Sequence, residues 1–441
     1  MTRDEIFAVL LRWNLWGRER KIAAVPRECL EKMKHLRNYH GVVVVKGPRR
    51  SGKSTLLYQL MQEFSRETDP KSILYVNFED YAFSSEKLTA KTLEDIFEVY
   101  RQEVYRDGDF LLFLDEIQNV EDWHRWVRTA TDSGLIKTIF VTGSSSKLLS
   151  GELATLLAGR HIDFELLPFS FKEYVNAMGH SPSNKIELMA KKEVYLSLLK
   201  DYLEQGGFPE VAAGVKGAEI MNRILSQYAE DIIIKDVAMR YNVQNVKLLK
   251  ALSKFLAQNT GNKVSIRKIQ KYFENVFEEK SSTSTFSNYI SHLESVYFCF
   301  EVQRFEYSVK EAIKSLSKYY LIDAGLRNAI YPSFSLDRGR LLENAVYLKL
   351  RNMYEEVYYW EAQNEIDFVC RNDNRLDLYN VSYVSDESEI RERKLKGFAE
   401  FPYAVRARYL ITWDLYKELS WNGLKILALP AYVFLYGLPE E

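Results

Sequence analysis

GPRRSGKST, residues 47–55, comes just after a run of four valines and fits the pattern G-x-x-x-x-G-K-[ST]. Glycines let such a loop curl so that successive backbone N–H groups point inward at phosphate oxygens. The next segment, LLYQLMQEF, has the pattern of an amphipathic helix, whose positive end would face the same phosphates. Strand, loop and helix together predict an α/β domain that holds a nucleoside triphosphate.

Two side chains of this loop have distinct expected roles. Lys53 would reach the β- and γ-phosphates of ATP as a point charge, and the Ser54 hydroxyl would ligate Mg²⁺. ATP and Mg²⁺ are therefore the expected cofactors. The residues expected to bind the nucleotide are Gly47, Pro48, Arg49, Arg50, Ser51, Gly52, Lys53, Ser54 and Thr55.

An acidic pair ends a later apolar run, FLLFLDEIQ. Asp115, at the end of a strand beside the phosphate loop, can hold Mg²⁺ through its water shell. Glu116 can then orient and deprotonate the attacking water as the catalytic base. The alternative is a strand that leaves the core with two charges at its tip. A site for binding alone needs only the first carboxylate, so the pair indicates hydrolysis.

A polar stretch after the next apolar run, TGSSSKLLSGELATLLAGR, holds two further catalytic candidates. Ser144 could sense the γ-phosphate or fix the water, or it could cap the helix that follows. Arg160 could act as an arginine finger on a neighbouring subunit's ATP, or it could form a structural ion pair. A finger that acts between subunits would require a homo-oligomer, such as a ring.

Short apolar runs, rich in β-branched and aromatic residues, alternate with helical segments in the first part of the chain. This pattern predicts a three-layer α/β core with a parallel sheet. The expected strands are residues 41–45, 73–78, 110–114, 138–142 and 162–166.

The rest of the chain contains two regions with different predicted secondary structure. Residues 168 to about 241 have a helical pattern, and residues 333 onward have an α+β pattern. The apolar stretch 424–438 is too short to span a bilayer and is expected to form a terminal strand pair.

Composition limits the class of protein. A chain of 441 residues is expected to fold as several domains. Its formal net charge of −1 excludes a protein whose whole surface is strongly basic. Residues 1–50 carry twelve Lys/Arg against five Asp/Glu, which indicates a solvated helix face or a DNA-facing arm; we favour the former. Three widely spaced cysteines fit a reducing compartment, and no membrane segment is expected, so we expect a cytoplasmic protein.

Several motifs together resemble a large family of archaeal and bacterial AAA+-like P-loop ATPases that carry a C-terminal domain related to PD-(D/E)xK nucleases. These motifs are GPRRSGKST, NFEDY, LFLDEIQNV, TGSSSKLL with LAGR, LPFSFKEY and GGFPEV. The resemblance covers nearly the whole chain. It implies a P-loop core with an additional strand (1–167), a helical lid (168–243), a winged helix (244–332) and a nuclease-like α+β domain (333–441).

The winged helix is also predicted directly, as helix, turn, helix and strand pair over residues 264–305. Its second helix would be the DNA-reading one, with polar candidates Ser284, Thr285, Ser287, Asn288 and His292. Cations lie on the preceding helix at Arg267, Lys268 and Lys271. DNA binding and packing between domains are both compatible with this pattern.

The nuclease-like domain lacks part of the expected acidic set. The resemblance places its first acids at Glu343 and Asp367, but Asn380 and Ser382 stand where Glu and Lys are needed. Asn380 is a poor Mg²⁺ ligand and Ser382 carries no charge, so we expect no DNA cleavage by this mechanism. The side chain of Asp377 should lie on the opposite strand face from Asn380 and so should not replace it.

The favoured function is a Mg²⁺-dependent ATPase that remodels branched or recombining DNA, with ATP/ADP, DNA and further copies of the chain as partners. One alternative is a signalling switch, in which slow hydrolysis toggles the binding of a protein partner. Another is an ATP-dependent nuclease.

Overall fold

The computed structural model describes residues 1–17, 24–84, 86–146, 159–277, 281–306, 315–332 and 337–437. The chain divides into two compact units, residues 1–167 and 168–441. Across the described ranges, none of the helices has the length and apolar character needed to cross a membrane.

The first unit is built on a five-stranded parallel sheet, which confirms the predicted α/β class. The order of its strands is β2-β3-β4-β1-β5, so β4 lies between β1 and β3 as the additional strand. The five predicted apolar runs all form strands: β1 (Gly41–Lys46), β2 (Ile73–Asn77), β3 (Leu111–Asp115), β4 (Thr138–Gly143) and β5 (His161–Glu165).

Helices cover both faces of this sheet. Val42 and Val44 pack into one hydrophobic cluster, and Val43 and Val45 pack into another. Side chains alternate between the two faces of a strand, so the valine run is buried on both sides. The helices of this unit are α1 (Arg3–Trp13), α2 (Leu30–Lys34), α3 (Lys53–Phe64), α4 (Ala90–Glu103) and α5 (Trp123–Asp132).

The second unit begins as a helical layer. The helix that ends at Asp231 continues directly as a π-helical stretch, Ile232–Met239. These helices are α6 (Phe171–Ala177), α7 (Lys185–Ala190), α8 (Lys192–Gln205), α9 (Pro209–Gly214), α10 (Ala218–Asp231), α11 (Val246–Gln258), α12 (Ile266–Phe277), α13 (Thr283–Ser295) and α14 (Ala324–Ile330).

A small antiparallel sheet accompanies α12 and α13. Its order is β6-β8-β7, formed by β6 (Lys263–Val264), β7 (Cys299–Val302) and β8 (Ser317–Leu321). The region therefore has two consecutive helices followed by an antiparallel strand pair, whose second strand lies beyond the predicted range 264–305. The winged helix stays a prediction. Its use in DNA binding remains a prediction.

The end of the chain forms a mixed six-stranded sheet of order β13-β14-β12-β11-β10-β9. Its strands are β9 (Glu356–Glu361), β10 (Glu365–Asn372), β11 (Arg375–Ser382), β12 (Ala407–Thr412), β13 (Lys417–Trp421) and β14 (Leu424–Pro430). Its helices are α15 (Arg338–Met353), α16 (Glu392–Glu400) and α17 (Ala431–Tyr436).

The expected strand pair within residues 424–438 is wrong. Only Leu424–Pro430 is a strand, and it pairs with β13, which precedes it in the chain. Pro430 then serves as the N-cap of α17, whose side chains are mostly buried. Proline lacks the N–H that a continuing ladder would need, and its fixed φ suits a helix start, so the apolar run changes structure there.

Candidate active site

The phosphate loop leaves the carboxyl end of β1 and leads into α3. Gly52 has φ 94° and caps α3, so this glycine supplies the left-handed backbone that the curl requires. The second left-handed residue is Arg50, with φ 66°, rather than a glycine. Gly47 is needed for space, since a Cβ there would lie 2.1 Å from the carbonyl oxygen of Leu166.

Lys53 lies buried at the start of α3, inside the loop. Its Nζ donates to the carbonyl oxygens of Gly47 at 3.2 Å and Pro48 at 3.1 Å. The same Nζ lies 3.4 Å from Oε1 of Glu116. The predicted lysine and the predicted base, 63 positions apart in the sequence, therefore meet as a charged pair.

Asp115 ends β3 and is fully buried. Its Oδ2 accepts a hydrogen bond from the Tyr75 hydroxyl at 2.6 Å, and its Oδ1 accepts one from the Thr142 hydroxyl. Burial and the Asp115 charge raise the pKa of Tyr75 well above its ordinary value, so the phenol stays a donor. Neither donor was predicted; Thr142 lies in β4, where the polar stretch TGSSSKLL begins, and that stretch carried the only sequence signal.

Glu116 adopts a left-handed backbone, φ 55° and ψ 47°, which is costly for a residue with a side chain. Its N–H donates to Thr142 Oγ1 at 2.9 Å, and its Oε2 accepts from Gln118 Nε2 at 2.5 Å. Burial alone would raise the pKa of Glu116, but Lys53, Gln118 and Arg49 lower it below the ordinary value. The carboxylate is thus held ionised beside the loop.

Ser144 follows β4 and is buried at the same edge of the sheet as the loop, where Gly47 N–H donates to Gly143 O at 3.4 Å. The segment that Ser144 would cap lies outside the described residues. Arg160 is not at this edge. Its carbonyl accepts from Val42 N–H at the amino end of β1, about 17 Å of strand away from the loop. Its exposed guanidinium pairs with Asp132.

Two arginines near the loop were not assigned these roles from the sequence. Arg27 is buried and donates to the carbonyl oxygens of Ser51 and Leu167, each at 2.7 Å. Arg49, expected to touch nucleotide, pairs with Glu79 at 3.1 Å. Arg27 lies twenty residues before the motif, so no local spacing could connect it to the loop.

The residues present fit a bound Mg·ATP. The Ser51 Oγ is fully buried in the loop and has no hydrogen-bond partner within the described ranges, so it has a donor left for a ligand. Ser54, one position into α3, is half-buried. No group of three or more His, Cys, Asp or Glu in the described parts of the chain could hold a metal by itself. Phosphate oxygens would therefore complete the Mg²⁺ shell.

The acids predicted in the C-terminal region only partly converge. Glu343 on α15 and Asp367 on β10 lie in one cluster, and the Asn380 Oδ1 accepts the Asp367 backbone N–H at 2.8 Å. Asp377 lies elsewhere, bonded to Tyr354 at 2.6 Å and to an arginine, Arg406. No hydrogen bond or ion pair joins Ser382 to the cluster within the described residues.

Sheet order, phosphate loop and paired carboxylates define an AAA-type P-loop ATPase fold, and residues 39–175 match an AAA domain family. The chain belongs to the same family as the uncharacterized protein MJ1544 of Methanocaldococcus jannaschii, with 34% identity over 362 residues, 81% of this chain and 78% of that protein. Residues 196–337 and 338–432 match two domains of unknown function, DUF8612 and DUF4143.

The chain is also similar to a second uncharacterized protein and to a solved structure. An uncharacterized protein of Haemophilus influenzae is 29% identical over 92% of this chain and 97% of its own length. The Walker-type ATPase PABY2304 of Pyrococcus abyssi is a solved structure with TM-score 0.44 and 15% identity, covering 70% of this chain and 97% of its own.

Proposed function

We propose that the chain is a Mg²⁺-dependent ATPase that hydrolyses ATP to ADP and phosphate. One observation carries the proposal: Glu116, held in a strained backbone conformation, lies 3.4 Å from the Lys53 ammonium at the mouth of the phosphate loop. Strain of this kind persists where the surrounding structure over-determines it, and it concentrates at functional sites.

In this proposal each residue has one task. Loop N–H groups and Lys53 bind the triphosphate, and Ser54 and Asp115 hold Mg²⁺, which neutralises charge on the phosphate oxygens. Glu116 orients the attacking water and takes its proton; its lowered pKa keeps it ionised and ready to accept. Ser144 fixes the water or senses the γ-phosphate.

The test is Glu116→Gln, which keeps the shape of the side chain but cannot accept the proton. We expect nucleotide affinity to stay within a few-fold and turnover to fall by about 10²–10⁴. Calorimetry with ATP and steady-state phosphate release measure the two quantities. Glu121→Gln, at an exposed glutamate paired with Lys87, is the matched control. Normal turnover in Glu116→Gln would remove the base from the proposal.

We further propose that turnover acts on DNA, specifically branched or recombining DNA. Two observations support a nucleic-acid surface on α12 and α13. Arg267, Lys268 and Lys271 are exposed on α12, and none has an ion-pair partner among the described residues. Ser284, Ser287 and Asn288 are exposed on α13. His292 is different: it is half-buried and stacks on Tyr241 at 4.0 Å, so it is unsuited to reading bases.

The cationic surface predicts a salt-dependent interaction. Replacing Arg267, Lys268 and Lys271 together by alanine should weaken binding to a branched duplex and lower the slope of log affinity against log salt by up to about 2.7. Fluorescence anisotropy at several salt concentrations measures this. A triple replacement of Lys396, Lys417 and Lys425, which are exposed but paired with acids, is the control. Equal slopes in both variants would favour the packing role for this region.

A further inference from the structure

Three carboxylates of the C-terminal sheet region surround one buried ammonium. Lys318, on β8, is 2% exposed, and its Nζ lies 2.6 Å from Glu365 Oε1 and 3.2 Å from Glu343 Oε1. The same Nζ lies 4.0 Å from Asp367 Oδ1. The Tyr320 hydroxyl donates to Glu343 at 2.6 Å. Burial alone would lower the pKa of Lys318, but the carboxylates raise it, so the ammonium stays charged.

Two more lysines pair with acids of this cluster. Lys394, on α16, bonds to Asp367 Oδ2, and Lys263, on β6, pairs with Glu361 and lies 2.9 Å from Glu365 Oε2. Four acids thus face three ammonium groups that belong to the chain itself. The Asp367 carboxylate, which is only 2% exposed, requires such pairing, because an uncompensated charge in the interior is costly.

The cluster does not fit the Mg²⁺ that a nuclease-like domain would need. A metal bound by Glu343 and Asp367 would have to displace the Lys318 ammonium from between them. Asp367 Oδ2 already accepts from Val381 N–H at 2.7 Å. The carboxamide of Asn380 accepts from the Asp367 backbone and donates to the carbonyl of Lys394, so both of its polar atoms already have protein partners.

We propose that Lys318 occupies the position of a divalent cation, so that this acidic cluster is an ion-pair joint instead of a metal site. Lys318 and Lys263 both come from the three-stranded sheet, whereas the acids come from α15, β9 and β10. The joint therefore fastens the three-stranded sheet to the six-stranded sheet. Backbone hydrogen bonds between Phe305 N–H and Tyr359 O, at 2.7 Å, and Tyr359 N–H and Gln303 O, at 3.1 Å, run beside it.

The test uses the full-length protein without nucleotide. Lys318→Met keeps the length of the side chain but removes the ammonium that three carboxylates share, so we expect the melting temperature to drop by roughly 6–10 °C. Mn²⁺ should restore part of that loss in Lys318→Met, and the double variant Lys318→Met/Asp367→Asn should not respond. Lys417→Met, at an exposed pair with Glu387, is the control and should melt like the native protein.

A measurement on the native chain stands even where Lys318→Met does not fold. Mn²⁺ titration followed by electron paramagnetic resonance should give the same bound fraction for the native chain and for Asp367→Asn. Binding that Asp367→Asn removes would overturn the proposal. So would a folded Lys318→Met variant with an unchanged melting temperature, or a destabilised one that Mn²⁺ leaves unaffected.

Discussion

Two side chains at the candidate active site act by positioning other residues. Thr142 donates to Asp115 and accepts from the N–H of Glu116, so one hydroxyl fixes both members of the acidic pair. Arg27 acts on the phosphate loop itself, where it donates to the Ser51 carbonyl. Both residues act through others, and we infer that they position the loop and the carboxylates.

Arg27→Met should weaken ATP binding. The change leaves two buried carbonyls, of Ser51 and Leu167, without their charged donor, at a cost of about 1–3 kcal/mol each. If part of that cost falls on the loop conformation, the Kd for ATP rises about tenfold. Titration with a fluorescent ATP analogue measures the Kd.

The control for this prediction is Arg37→Met, at an arginine of the same unit paired with Glu67. A lower melting temperature with an unchanged Kd in Arg27→Met would show that Arg27 supports the fold and does not shape the loop.

At the scale of elements, GGFPEV is a structural joint of the second unit. Gly206 has φ 81°, and a Cβ there would lie 2.1 Å from Asp323 Oδ1. The Asp323 carboxylate accepts from the N–H groups of Gly207 at 2.6 Å and Leu326 at 2.8 Å. It therefore joins the turn before α9 to the start of α14. The motif GGFPEV therefore has a packing role here.

The Asp323 joint predicts a pH-dependent stability. Burial raises the pKa of Asp323 to about 6, although the backbone N–H groups of Gly207, Leu326 and Gly325 oppose the shift. The folded state thus binds the proton more tightly than the unfolded state. Its contribution is complete below the unfolded pKa, near 4, and is lost as pH rises through 6, by about 3 kcal/mol in total.

Asp323→Asn removes this titration. The free energy of unfolding of the native chain minus that of the variant should fall by about 2.4 kcal/mol between pH 4 and pH 7, because at pH 4 the unfolded carboxyl is already partly ionised. Urea unfolding at each pH measures it, with Asp337→Asn, at an exposed helix cap, as the control. A difference that stays constant across this range would contradict the burial of an ionisable carboxyl.

At the scale of the molecule, the position of Arg160 matters most. It lies at the amino edge of the sheet, opposite the phosphate loop of its own chain, and it is exposed. A catalytic role for Arg160 is therefore open only toward the ATP of another copy. We propose such a role for Arg160. The active form is then a homo-oligomer, such as a ring.

Mixing variants tests this arrangement. Arg160→Ala and Lys53→Ala should each lose most ATPase activity, and a mixture should recover some, because one interface then combines an intact loop with an intact finger. Arg128→Ala, at another arginine that pairs with Asp132, is the control and should keep its activity. If Arg160→Ala alone keeps full activity, the role of Arg160 is limited to its ion pair with Asp132. Light scattering with and without an ATP analogue gives the mass.

The sequence by itself determined the strands, the phosphate loop and the acidic pair of the first unit. The reason is local: a buried parallel strand needs an apolar run, and the loop needs fixed residue types at fixed spacing. It misjudged the stretch after Leu424, where Pro430 turns a strand into a helix. For Asp367, the sequence showed only that the expected Glu and Lys are missing from β11, and it did not reveal the partners of this carboxylate.

Only the tertiary structure decided which distant side chains meet. Arg27 reaches the loop, Thr142 joins Asp115 to Glu116, and Lys318 enters the acids of the six-stranded sheet. Each of these contacts joins residues that no helical or strand period relates. Electrostatic pairing depends on distance in space after folding, and residue spacing along the chain does not encode that distance.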